Sequence, residues 1–181
     1  MTAHAHPPAR PLHLPALAGW FVLTFVFAAI GAFATSQAGE FYGQLDQPTW
    51  APPAWLFGPV WTVLYALMAV AAWRVYRTSG TAGIAGTAGI AGGRSVRPEM
   101  TLYVVQLVLN SLWSWLFFAW HRGALAFVEL VVLWLAIVAT IVVFGRRDRL
   151  AGLLLLPYIV WVSFAGALCY SIWQRNPGVL G

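Results

Sequence analysis

Five stretches of this chain run for about twenty residues each with almost no charge. They are Leu14–Ala34, 54–73, 100–120, 123–145 and 150–174, and Glu129 is the one formally charged side chain within them. A helix needs about 20 predominantly apolar residues to cross a bilayer, where every backbone polar group must be bonded within the protein. Each stretch meets that length. The apolar residues are continuous rather than alternating, which excludes a transmembrane β-barrel. The sequence therefore predicts an all-α membrane protein, a five transmembrane helix bundle. Composition points the same way: 61% of the 181 residues are hydrophobic and 8% are charged. A soluble domain carries about 25% charged residues. One cysteine, Cys169, excludes a disulfide scaffold within the chain and a cysteine-based zinc site. The first stretch is longer than the roughly 7–15 residues of a signal-peptide core. It is followed by acidic and aromatic sequence, so it reads as a span.

The net charge of +5 comes from arginines placed between the apolar runs, not from a basic face suited to nucleic acid. Arg10, then Arg74, Arg77, Arg94 and Arg97, then Arg146, Arg147 and Arg149 fall on one side of the expected bundle. Arg122 and Arg175 fall on the other. Basic residues concentrate on the inner side of a membrane, so the N-terminus is expected inside and the C-terminus outside.

Residues 1–181 read as a single domain, with helices expected at about 14–34, 54–77, 99–120, 123–145 and 150–174. The connection 79–97 includes the hexapeptide TAGIAG twice and reads as a flexible Gly/Ala linker. The connection 35–53 differs. It holds Phe41, Tyr42 and Trp50, with Pro48, Pro52 and Pro53. Such a loop is expected to fold back on the bundle as a lid, and proline lowers the cost of ordering it on a ligand.

The chain has eleven tryptophans. Trp20, Trp73, Trp120 and Trp173 lie near run ends, where aromatic belts form. Trp61, Trp113, Trp115 and Trp161 lie deeper. Helical spacing groups Trp61, Trp113 and Trp161 with other aromatic and polar residues into three faces. The first is Phe57, Trp61 and Tyr65. The second is Gln106, Asn110, Trp113, Ser114 and Phe117, and the third is Tyr158, Trp161, Ala165, Leu168 and Ile172. Two readings stand. The faces line one cavity for a flat, largely apolar ligand, or they are interhelical packing with ordinary hydrogen bonds. Glu129 is a functional candidate as an ionisable residue within a span, with a structural bond to another helix as the alternative. No hydrolase triad, phosphate loop or metal cluster is present in the sequence. His4, His6 and His13 read as a tail, and His121 lies in the turn after the third run, where haem ligation is one reading.

Three motifs carry a resemblance. Residues 47–65 read QPTWAPPAWLFGPVWTVLY, residues 106–118 read QLVLNSLWSWLFF, and the last run holds PYIVWVSFA at 157–165, followed by 168–176. Together they closely resemble the TspO/MBR family of tryptophan-rich sensory proteins and translocator proteins. The resemblance covers about residues 14–176. It implies five helices around a ligand pocket closed by the first loop, with no obligatory cofactor and no metal. It implies porphyrins or haem as ligands, sterols and benzodiazepine- or isoquinoline-type synthetic ligands in some members, contact with membrane lipids, and homodimers. Carried over, the ligand-binding residues are Tyr42, Trp50, Pro52, Pro53, Trp61, Asn110, Trp113, Ser114, Trp161 and Ala165. Trp61 and Trp161 match the tryptophans tied to light-dependent porphyrin breakdown in some bacterial members, which makes them the candidate catalytic residues. A sterol or lipid pattern is read at Leu168, Tyr170 and Arg175. The sequence departs from the family at Gln47, where a lysine is common, and at Cys169, where an asparagine is common. The linker before the third helix is also longer. The expected function is tetrapyrrole binding for sensing or movement, with porphyrin degradation and sterol handling as alternatives.

Overall fold

The computed structural model describes residues 14–36, 38–79 and 97–181. The flexible linker assigned to 79–97 lies almost wholly outside those residues, as do His4, His6 and His13. Five helical segments are long and apolar enough to cross a membrane. Helix α1 is Leu14–Ala34, and the short α2 is Ala38–Gln44. A single 3-10 turn, Ala54–Leu56, leads into α3, Phe57–Ser79. Helix α4 is Arg97–Ser114 and continues as a π-helical turn through Trp115–Ala119. Helix α5 is Gly123–Arg147. The last span is broken into α6, Arg149–Leu154, and α7, Leu156–Arg175, followed by the small α8, Pro177–Leu180. No strand forms among the described residues.

Neighbours follow a ring. α1 packs between α3 and α4, α4 packs on α5, and α5 packs on α6 and α7, while α6 closes the ring against α3. The break between α6 and α7 has a local cause. Pro157, in the first turn of α7, has no N–H to donate four residues back. Leu155 instead closes a tighter turn, donating to the Gly152 carbonyl at 3.2 Å. On the α6 side of the break the backbones pack closely, because a Cβ on Gly152 would stand 2.9 Å from the Gly145 Cα. Small residues allow such approach between membrane helices. Beyond the break, α7 meets α3 through large aromatic rings, Trp161 on Phe57 and Tyr158 on Trp61.

One end of the bundle is rich in arginine. There Arg74 pairs with Asp148 at 2.8 Å and Arg147 pairs with Glu99 at 2.7 Å. Asp148 also caps α6, accepting from the Leu150 and Ala151 amides. The other end carries the 35–53 connection. Read as a loop from the sequence, it in fact holds α2. It is fastened to the end of α7 by Asn176, whose Oδ1 accepts from the Asp46 amide at 2.9 Å and whose Nδ2 donates to the Asp46 carbonyl at 3.0 Å. Arg175 lies 3.6 Å from the Asp46 carboxylate. Two residues after the π turn the chain reverses at His121, whose φ of 53° is left-handed. That reversal lets the Arg122 amide donate to the Leu116 carbonyl at 2.8 Å and start α5.

Candidate ligand-binding site

Residues of the α3 and α7 faces meet Asn110 of α4 inside the bundle, beneath the 35–53 connection. Trp61 and Tyr65, one turn apart on α3, stack with ring centroids 5.4 Å apart. Trp61 meets Tyr158 of α7 edge-on at 6.1 Å, and Phe57 meets Trp161 at 5.8 Å. Asn110 of α4 lies beneath them. Its Oδ1 accepts from the Tyr65 hydroxyl at 2.5 Å, and its Nδ2 donates to the Tyr158 hydroxyl at 3.1 Å. One amide thus joins α3, α4 and α7 where water is excluded and unpaired hydroxyls are costly. The Trp161 indole nitrogen is buried with no hydrogen-bond partner among the described residues. Aromatic walls with a few fixed polar groups suit a flat, mostly apolar ligand.

The connection forms the roof. Tyr42 of α2 is buried, meets Phe57 at 5.6 Å and donates its hydroxyl to the Pro52 carbonyl at 3.2 Å. Burial raises the Tyr42 pKa, which keeps the phenol a donor. Pro53, in extended conformation, caps the 3-10 turn that starts α3. Trp50 meets Phe164 at 5.8 Å, and Phe164 meets Trp161 at 5.4 Å. Gln47 donates its side-chain amide to the Tyr42 carbonyl, so it braces the roof.

Residues 20–174 match the TspO/MBR family. The chain is a member of that family. It is 39% identical to protein CrtK of Rhodobacter capsulatus, over 92% of this chain and 96% of that protein. It is 38% identical to the tryptophan-rich protein TspO of Chlorobaculum tepidum, over 80% of this chain and 85% of that one. The human translocator protein shares 34% identity, over 82% of each chain.

Against the residues carried over from the TspO/MBR family, the structure sorts two groups. Tyr42, Pro52 and Trp161 join through Phe57, with Trp50 reached through Phe164, and Trp61 and Asn110 join through Tyr65 and Tyr158 one turn away on the same helices. Ala165 is buried one turn beyond Trp161 on α7. Trp113 instead stacks on Phe117 at 5.6 Å and meets Phe118 at 5.7 Å. Ser114 stands against α1, where its Oγ would lie 3.3 Å from a Cβ on Gly31. Tyr65, Tyr158, Phe57 and Phe164 complete the chamber and were absent from the carried-over set. The signal for Phe57, Tyr65 and Tyr158 was their helical spacing with Trp61 and Trp161.

Leu168, Tyr170 and Arg175 do not form one surface. Leu168 is 4% exposed in the core, while Tyr170 is 49% exposed and meets Phe127 at 5.3 Å. Residues two apart on a helix point to nearly opposite sides. Glu129 is buried, and neither carboxylate oxygen has a hydrogen-bond partner among the described residues. The interhelical bond offered as its structural reading is therefore not made among the described residues. Gln106, fully buried one turn from Asn110, likewise has an unbonded amide. Among the described residues no three His, Cys, Asp or Glu side chains converge as a metal site.

Proposed function

We propose that this membrane protein binds tetrapyrroles, porphyrins or haem, in the chamber under the 35–53 connection, and senses or moves them. The observation that carries this reading is the joining of Trp61, Tyr65, Tyr158 and Phe57–Trp161 contacts around the Asn110 amide. Flat rings stack on the aromatic walls, and the amide and phenols meet polar atoms at the ligand edge. The names of its relatives, tryptophan-rich sensory protein and translocator protein, fit a ligand-responsive role. Synthetic benzodiazepine- or isoquinoline-type ligands suit the same walls. The protein acts as a homodimer with its N-terminus inside, and it needs no cofactor beyond the ligand.

A second reading, light-dependent porphyrin breakdown, is favoured by the position of Trp61 and Trp161 in the same chamber. Indole is oxidisable, and the buried Trp161 nitrogen makes no competing hydrogen bond among the described residues. Tyr170 and Arg175, on the exposed end of α7, are retained as sterol or lipid contacts without Leu168. The test uses purified protein with protoporphyrin IX, followed by tryptophan fluorescence and porphyrin absorbance in the dark and then in light. Dark quenching with stable absorbance in light supports binding alone. Protein-dependent loss of the porphyrin band, abolished by Trp61→Phe with Trp161→Phe, supports degradation. Absence of quenching at micromolar porphyrin overturns both.

A further inference from the structure

A cavity of about 470 Å³ opens at the loop end of the bundle, between the end of α1, α2 and the π turn of α4. It is separate from the aromatic chamber. Tyr42 turns inward to the chamber, while its neighbour Phe41 and Gln44 on the same short helix line the cavity. The volume falls within the range of small-molecule sites, roughly 300–1,000 Å³.

It is open to the surface, where Phe33, Glu40 and His121 are exposed, and its walls are mainly aromatic. Phe33, Phe41, Trp115 and Phe118 line it. Trp115 is held by donating its indole N–H to the Ile30 carbonyl at 3.2 Å, and its ring lies 6.1 Å from Phe33. His121 stacks nearly flat on Phe41 with centroids 4.2 Å apart, held there by the left-handed turn that follows the π segment. π turns of this kind widen a helix locally and occur often at functional sites.

The electrostatics choose the ligand. Among the described lining residues Glu40 carries the one formal charge, and His121 is the other titratable group. Arginine is absent from that lining. Aromatic faces present negative charge density, which attracts a cation and repels an anion. We propose that this cavity is a second binding site, for a lipophilic organic cation: a positive nitrogen or phosphorus centre on an aromatic or hydrocarbon body. The cationic centre lies by Glu40 and the body lies against Phe41, Trp115 and Phe118. A porphyrin bearing carboxylates is disfavoured here, so the two sites divide ligands by charge.

Tetraphenylphosphonium and tetraphenylborate test this directly, because they share size and shape and differ in sign. Calorimetric titration of the full chain in maltoside micelles, corrected for empty micelles, is expected to show saturable binding of the phosphonium at one per chain. Tetraphenylborate is expected to give no saturable signal. Glu40→Gln keeps the shape and removes the charge, and is expected to weaken phosphonium binding about fivefold. Ala119→Trp fills the cavity from the π turn and is expected to abolish it. Both variants are expected to retain wild-type helicity by circular dichroism, which reports folding independently of porphyrin binding. Equal affinity for the two ions, or phosphonium binding unchanged by Glu40→Gln, overturns the proposal and leaves a groove filled by lipid or detergent chains. If Ala119→Trp misfolds, Glu40→Gln and the ion pair decide alone.

Discussion

Asn110 joins three helices through one side-chain amide, and its two bonds are the polar centre of the chamber. Asn110→Ala leaves the Tyr65 and Tyr158 hydroxyls buried and unpaired. Hydrogen bonds between membrane helices contribute about 1 kcal/mol each, so a loss of about 2 kcal/mol is expected. Thermal unfolding in detergent should record this as a midpoint lower by about 4–8 °C. An unchanged midpoint would mean that the tyrosines find other partners. At this scale the sequence was partly legible. Helical spacing placed Trp61, Asn110 and Trp161 on inward faces because a helix repeats every 3.6 residues. The same spacing put Ser114 on the Asn110 face but gave no information on which neighbour it meets. The close approach of Gly31 decides that, and it is a tertiary contact. Leu168 and Tyr170 show the converse. A short motif matched them, while helical geometry sets them on opposite sides.

The connecting elements hold the information that periodicity missed. Helix α2 has seven residues, too short for a clear hydrophobic period, and it includes Gly39 and Gly43. Its stability comes from packing Tyr42 and Phe41 onto the bundle. The π turn of α4 also left no sequence signal, because it depends on how the chain reverses at His121. The last span, expected as one helix over 150–174, is instead broken at Leu155, with Pro157 in the first turn of α7. The roof is fastened chiefly by Asn176, through its paired bonds with the Asp46 backbone and a bond to the Ile172 carbonyl at 2.8 Å. Asn176→Ala is expected to free residues 45–53. Hydrogen exchange of those amides should rise, and ligand dissociation should quicken about fivefold while α3 and α7 keep their protection. No change in exchange would place the fastening elsewhere.

Across the whole molecule, the five spans were legible because hydrocarbon imposes a length and a composition that few other folds share. Their ring order was not, since it depends on which faces meet. Charge is divided between the ends. Arg74, Arg147 and their acidic partners gather at one end, with Arg146 and Arg149 also exposed there. The roof lies at the other end with Asp46 and Arg175. The inward placement of basic residues predicts that the roof faces outside. Thr49→Cys should react with an impermeant maleimide on intact cells, while Arg146→Cys should react only after permeabilisation. The reverse pattern would invert the topology. Native Cys169 is buried and should not contribute.

The chamber as the tetrapyrrole site is the central claim, and affinity for protoporphyrin IX in the dark tests it most directly. Titration of wild type, Trp161→Leu and Trp120→Leu separates the chamber from the exposed tryptophans, since Trp161 lines it and Trp120 is 54% exposed away from it. Loss of one stacking face should weaken binding at least about tenfold in Trp161→Leu. Trp120→Leu should match wild type. Equal affinity in all three proteins would contradict the account and place the porphyrin outside the chamber.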